Sequence, residues 1–326
     1  MTQRLRRLDG RRAVLFFILV LLAVIMAGVA FFDYQWTLAL NANKAKALAD
    51  FMSRTLFEGE GFGGSDPAIL FLILALLAYL SAWEVVPLKR FKTWRPWLGF
   101  IIGTAPIVGL CIIHSLKWVM GRARPREVLR QGLDYSQWYE IGPHYITEGI
   151  YRGSFPSGHT ASTLLLLTVA YLLAADRNNR RVSRLVGWCW GAAVLAYCLV
   201  MAVSRSMTMS HWIADSLFTI LAGWLVIHCL YFWVFRVTEQ TAFFRNTHEL
   251  PRLPRLWELR LGGYLFLVTF GLTLTGLGVR AYMEQSIPWL AALIVPGLIL
   301  AIWFGHLASR LYRTVRVALN PTERSC

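Results

Sequence analysis

Of the 326 residues, 56% are hydrophobic and only 16% are charged, against roughly a quarter in a soluble domain, and mean hydropathy is +0.50. That economy of charge excludes a soluble protein and points to an all-α, polytopic membrane helix bundle. The net charge of +15 sits in short Lys/Arg clusters beside apolar runs, a pattern of cytoplasmic loops that argues against a nucleic-acid partner.

In chain order, Arg4, Arg6, Arg7, Arg11 and Arg12 precede an apolar run over 13–32, long enough to span and read as a retained signal anchor with its N-terminus inside. Residues 33–66 follow as an external segment ending in Gly59, Gly61, Gly63 and Gly64, its middle (38–57) apolar at helical spacing and suited to the interface. Further spans are expected at about 67–86, 97–118, 159–175, 185–203, 211–235, 261–279 and 287–307, which makes eight. The intervening loops alternate: those around Lys89–Arg95 and 177–184, the segment 236–260 and the tail are basic and therefore cytoplasmic, with both termini inside. The domain reading is a six-span core over 1–235 with its site within 117–215, a cytoplasmic linker over 236–260, and two further helices over 261–326. Of the five cysteines, Cys111, Cys189, Cys198 and Cys229 lie in apolar runs and Cys326 ends the chain; without CxxC spacing they indicate neither a disulfide framework nor a zinc site.

Three polar clusters interrupt this apolar sequence: Lys117 to Pro125, Ser154 to His159, and Ser204 to Asp215. Ionisable groups at membrane depth are costly and mark function by default. The alternation places the end of span three, the start of span four and the turn between spans five and six on one external side. Lys117 and Arg124, seven residues apart, share a helix face if the helix runs on for two turns. Pro156-Ser157-Gly158-His159 reads as a helix start with Ser157 as cap and Gly158 allowing close backbone approach. Arg205 adds a guanidinium fork, and His211 and Asp215, four apart on an opening turn, pair an imidazole with a carboxylate. Several cations around one oriented His and one separate His suit phosphoryl transfer through a phosphohistidine. The sequence has no Asp/Glu cluster of the kind that holds magnesium, so a metal-independent reaction without cofactor is expected.

The pattern Lys-x6-Arg-Pro, Pro-Ser-Gly-His and Ser-Arg-x5-His-x3-Asp resembles the type 2 phosphatidic acid phosphatase superfamily, across spans three to six. The resemblance implies a six-helix core, His211 as nucleophile, Asp215 as its orienting partner and His159 as general acid. It also implies Lys117, Arg124, Ser157, Gly158 and Arg205 as phosphate-binding residues and a lipid phosphate or pyrophosphate as substrate. Arg122 and Arg152 are candidate substrate contacts, with phosphate and headgroup both open for Arg122. His114, His228 and His306 read as helix-packing residues, and spans seven and eight carry no assigned role. Hydrolysis, transfer to a second lipid, and lipid binding or transport without catalysis all remain open. A bacterial inner membrane with a periplasmic site, and no protein partner, completes the expectation.

Overall fold

Inside a bilayer a backbone without water must bond within its own segment, so long apolar runs become helices. The computed structural model describes residues 2–56, 59–85, 89–144, 153–175, 180–285 and 287–319. Among these the structure is all-α with no strand. Its helices are α1 (Thr2–Ala42), α2 (Lys46–Ser53), α3 (Asp66–Ala82), α4 (Arg95–Pro106), α5 (Ser115–Met120), α6 (Pro125–Gln131) and α7 (Gly158–Leu164). They continue with α8 (Leu167–Ala174), α9 (Arg181–Met207), α10 (Ile213–Cys229), α11 (Val237–Thr247), α12 (Trp257–Glu284) and α13 (Ile294–Leu319). Among the described residues, six helical stretches are long and apolar enough to cross a membrane, and Asp66–Ala82 and Gly158–Ala174 are shorter apolar helices at two further expected spans. The chain is a multi-pass membrane protein.

Several boundaries differ from expectation. The first helix does not stop at Phe32: α1 runs to Ala42, so Asp33 lies within it rather than at the start of an external segment. The third span is not one continuous α-helix. Pro106 has no N–H to give the preceding turn, and a wider π-helical stretch, Ile107–His114, follows it before α5. Then α5 ends at Met120, and Gly121 takes φ +54°, a left-handed value that glycine adopts without Cβ strain. Lys117 and Arg124 therefore do not share one helix. The segment read as a linker holds a helix of its own, α11.

The chain divides into two compact units, one of residues 1–70 and 120–232, the other of 71–119 and 233–326. In the first, α1 lies against α9 and α10, and α7 packs on the same two helices. In the second, α12 lies along α13 and against α4 and the π-helical stretch. The two C-terminal helices, which the sequence left without a role, thus belong to the same unit as the span that carries Lys117.

The α12–α13 contact depends on small residues. A Cβ at Gly271 would stand 2.5 Å from the carbonyl oxygen of Gly297, and one at Gly297 would stand 2.6 Å from the carbonyl oxygen of Gly271. Two backbones this close exchange dispersion contacts that larger side chains would prevent, which is how membrane helices associate without a hydrophobic drive. Higher on the same pair, Arg280 pairs its Nε with Glu284 at 3.0 Å and donates from Nη1 to the carbonyl oxygen of Val119 at 3.2 Å. Gly297→Val is expected to lower stability by about 1–3 kcal/mol through overpacking against backbone. Thermal unfolding in detergent checks this, with Gly305→Val as control, because a Cβ there meets only a Val268 methyl at 3.9 Å.

Candidate active site

The first unit is built around the N-terminus of α10. A helix begins with N–H groups that have no intrahelical partner, and here a neighbouring helix supplies them. Thr37 on α1 accepts from the Ile213 N–H at 3.2 Å, and Asp33, one turn earlier, accepts from the Ala214 N–H at 2.9 Å. One further turn along, Asn41 donates to the carbonyl oxygen of Met207 at 2.6 Å, an acceptor at the last turn of α9. Asp33, Thr37 and Asn41 are each four residues apart, so they form one polar stripe along the last three turns of α1. The stripe holds both ends of the reversal that delivers His211. Within that reversal the Arg205 carbonyl accepts the N–H groups of Ser210 at 3.0 Å and His211 at 3.2 Å, and Met209 takes φ +58°.

Asp215 occupies the third helical position and is fully buried. Its Oδ2 accepts from the Trp212 N–H at 2.9 Å and from the Ser154 hydroxyl, and its Oδ1 accepts from Nη1 of Arg122 at 2.6 Å. His211 Nδ1 lies 3.5 Å from the same Oδ2, a charge contact longer than an ordinary hydrogen bond. Catalytic hydrogen bonds commonly tighten only once substrate is in place. Nδ1 faces the carboxylate, which leaves Nε2 on the opposite side of the ring.

Arg122, expected as a candidate substrate contact, is instead found buried among protein partners. Its side chain has no exposed surface, and all three nitrogens are engaged. Nη1 binds Asp215, Nη2 binds Asp33 at 2.6 Å, and Nε donates to the carbonyl oxygen of Ser136 at 2.8 Å. The rings of Tyr135 and Trp212 flank the guanidinium at 5.5 and 5.4 Å. Burial and the Asp33 carboxylate push the Tyr135 phenol above its ordinary value, so it stays a neutral neighbour of the ion pairs.

The second cluster is tied to the same helix head. The Ser157 N–H donates to Thr219 Oγ1 at 3.0 Å, and Thr160 Oγ1 lies 3.3 Å from Ser216 Oγ. Ser157 is the residue before α7, as expected, but its hydroxyl makes no capping bond and instead accepts from Thr160 at 3.0 Å. Gly158 and His159 are half-buried on the first turn of α7. Asp66, at the start of α3, is held by Thr55 Oγ1 and by the N–H groups of Leu56 and Gly63, each at 3.0 Å, and its charge reaches His159.

Of the first cluster, Arg124 is half-buried and immediately precedes α6; its N–H donates to Glu127 at 2.8 Å, and Glu127 in turn meets His144 Nε2 at 3.0 Å. Arg205 is buried near the end of α9. Lys117 is buried on α5 and belongs to the second unit. Arg152 and Cys326 lie outside the described residues. His228 sits between the Tyr171 hydroxyl at 2.9 Å and the Arg11 carbonyl at 3.1 Å, a packing role.

Residues 97–239 match the family model described as the PAP2 superfamily. The match covers less than half of the chain, and this central segment is similar to that superfamily. No curated protein and no solved structure matches it. PAP2 members are phosphatases, so the match supports a phosphatase-type hydrolase at a coarse level, in a chain with membrane-spanning helices. The PAP2 match contains Lys117, Arg122, Arg124, His159, Arg205, His211 and Asp215, whereas α1, α12 and α13 lie outside it.

Sequence reasoning missed Asp33 and Thr37 as partners of this site, and it placed Ser154 in the second cluster without giving it a role. An acid among Phe31, Phe32, Tyr34 and Trp36, followed at four-residue steps by Thr and Asn, was the available signal. Thr37→Ala leaves the Ile213 N–H without its cap and is expected to cost about 1 kcal/mol, read as a lower midpoint of thermal unfolding in detergent.

Proposed function

We propose that the chain is a metal-independent lipid phosphatase working through a phosphohistidine on His211. The observation that carries this reading is the contact of His211 with Asp215, a carboxylate whose own orientation is fixed by Arg122, Ser154 and the Trp212 N–H. A site that only bound lipid phosphate would need cations but no imidazole held by an oriented carboxylate.

In the proposed step Nε2 of His211 attacks phosphorus, and the P–N bond forms as the P–O bond to the lipid breaks. The leaving oxygen takes a proton from His159. Water then attacks phosphorus, giving its proton to His159, and the P–N bond breaks to release phosphate. Asp215 holds the imidazole in one tautomer and stabilises the charge it gains on phosphorylation. Arg124, Arg205, Ser157 and Gly158 are assigned to the phosphate oxygens, and the motif gives Lys117 the same part.

The substrate class is an amphiphile with its phosphate or pyrophosphate at headgroup level: lipid A, undecaprenyl diphosphate or phosphatidylglycerol phosphate. Basic loops on the side opposite the motifs support a bacterial inner membrane, both termini cytoplasmic and the site periplasmic.

Purified protein in detergent with EDTA, given each of these lipids and phosphatidic acid, is expected to release phosphate from at least one. His211→Ala is expected to reduce release at least about 10³-fold, and His159→Ala by about 10²–10⁴-fold. Unchanged release in His211→Ala would sink the mechanism. Phosphate found on a second lipid rather than in solution would make the chain a phosphotransferase, and binding of lipid without turnover by the wild type would make it a carrier.

A further inference from the structure

We propose that Asp33 is a positioning residue for the candidate nucleophile, acting through Arg122 to fix both the orientation and the charge of Asp215. The inference rests on the reading of His211 as nucleophile and deepens it. It also brings into the site a helix that lies outside the PAP2 match.

Three observations carry it. First, the contacts form an unbroken chain: Asp33 Oδ2 to Arg122 Nη2 at 2.6 Å, Arg122 Nη1 to Asp215 Oδ1 at 2.6 Å, and Asp215 Oδ2 to His211 Nδ1 at 3.5 Å. Secondly, the side chains of Asp33, Arg122 and Asp215 are each 0% exposed, so water neither screens nor replaces any link. Thirdly, Asp33 uses its other oxygen on the Ala214 N–H, the residue directly before Asp215. One carboxylate therefore fixes both the side-chain partner of Asp215 and the backbone that carries it.

Charge decides why a second carboxylate matters. An Arg122–Asp215 pair alone would be neutral, and its guanidinium would hold the charge that His211 is meant to feel. With Asp33 added, Arg122 is shared between two carboxylates, and the trio carries one net negative charge facing the imidazole. That charge favours His211 in the cationic form it must take on phosphorylation. The titratable and charged groups gathered here are Asp33 on α1, Arg122 ahead of α6, Tyr135 in the loop after α6, Arg205 on α9, and His211 and Asp215 at the head of α10.

Asp33→Asn tests the proposal, because it keeps the shape and the acceptor for Ala214 but removes the charge. Two readouts are taken on the full-length protein in detergent: phosphate release from dioctanoyl phosphatidic acid across pH, and the titration of the His211 imidazole by NMR without substrate, its signal assigned by loss in His211→Ala. We expect KM within about threefold of wild type, kcat lower by about tenfold, and the His211 titration moved to lower pH, since an imidazolium that loses a nearby negative charge gives up its proton more readily. Thr37→Ala, which loosens the same helix head without touching Arg122, is expected to leave the titration in place. An unmoved titration and unchanged kcat in Asp33→Asn would overturn the proposal, as would an equal shift in Thr37→Ala. Should Asp33→Asn not accumulate as folded protein, Arg122→Lys takes its place: a point charge cannot bond both carboxylates through one planar fork, so kcat should fall by about tenfold with KM held. Unchanged kcat in Arg122→Lys would overturn the relay. Because the titration is read without substrate, it decides the role of Asp33 even if no lipid is hydrolysed, which separates this proposal from the functional reading beneath it.

Discussion

A guanidinium with no exposed surface is tolerable only when every polar direction finds a partner, and Arg122 meets that condition with two carboxylates, one carbonyl and two flanking rings. Removing one member of such a buried set leaves an uncompensated charge, a loss of about 3–5 kcal/mol where it has been measured. The constraint explains local features that otherwise look unrelated. The chain must leave α5 at Gly121 so that Arg122 can turn inward while the Arg122 carbonyl still receives the Ser154 N–H at 2.7 Å. The same stretch receives the loop after α6, with the Gly142 N–H on Met120 at 2.7 Å and the His144 N–H on Gly121 at 3.0 Å. One buried cation thereby gathers α1, the break after α5, the loop after α6, the approach to α7 and the head of α10.

The stripe on α1 answers a second demand. Where α9 ends and α10 begins, two sets of backbone groups lose their intrahelical partners within a few residues, in a buried setting where water cannot serve them. Asp33, Thr37 and Asn41 supply two acceptors and one donor at the spacing of successive turns. Without that supply the reversal carrying His211 would be free to adjust, and the distance from imidazole to carboxylate would vary with it. The N-terminal helix is thus both a membrane span and a support for the geometry of the motif.

Much of this was legible before any coordinates. The apolar runs gave the spans because periodic polar interruptions are rare in them, and the motif residues stood out because charge at membrane depth needs a reason. What escaped was long-range or depended on one backbone torsion. Lys117 and Arg124 obeyed a helical spacing, yet Gly121 between them is a helix-ending residue, and that local signal outweighs the spacing. Asp33 was read as the start of an external segment because the apolar run stops just before it; its partner, Arg122, lies 89 residues away, and no local pattern names it. The association of α12 and α13 with the span carrying Lys117 was likewise invisible, since glycines in membrane helices are common and only contact reveals which of them meet.

The matched segment carries the motifs, but the parts of the chain outside it act on helix ends. In the first unit, α1 satisfies the terminal groups of α9 and α10 and so controls where Asp215 and His211 stand. In the second, Arg280 of α12 bonds the Val119 carbonyl, one of the last-turn acceptors of the helix that holds Lys117. A helix body is rigid by its own hydrogen bonds, whereas its ends are where orientation can drift and where a small shift moves a side chain most. A reaction that needs an imidazole, a carboxylate and several cations in fixed register therefore gains more from fixing helix ends than from adding further residues to the site. That is a physical reason for flanking helices to be retained around a motif that already contains every group proposed to touch the phosphate.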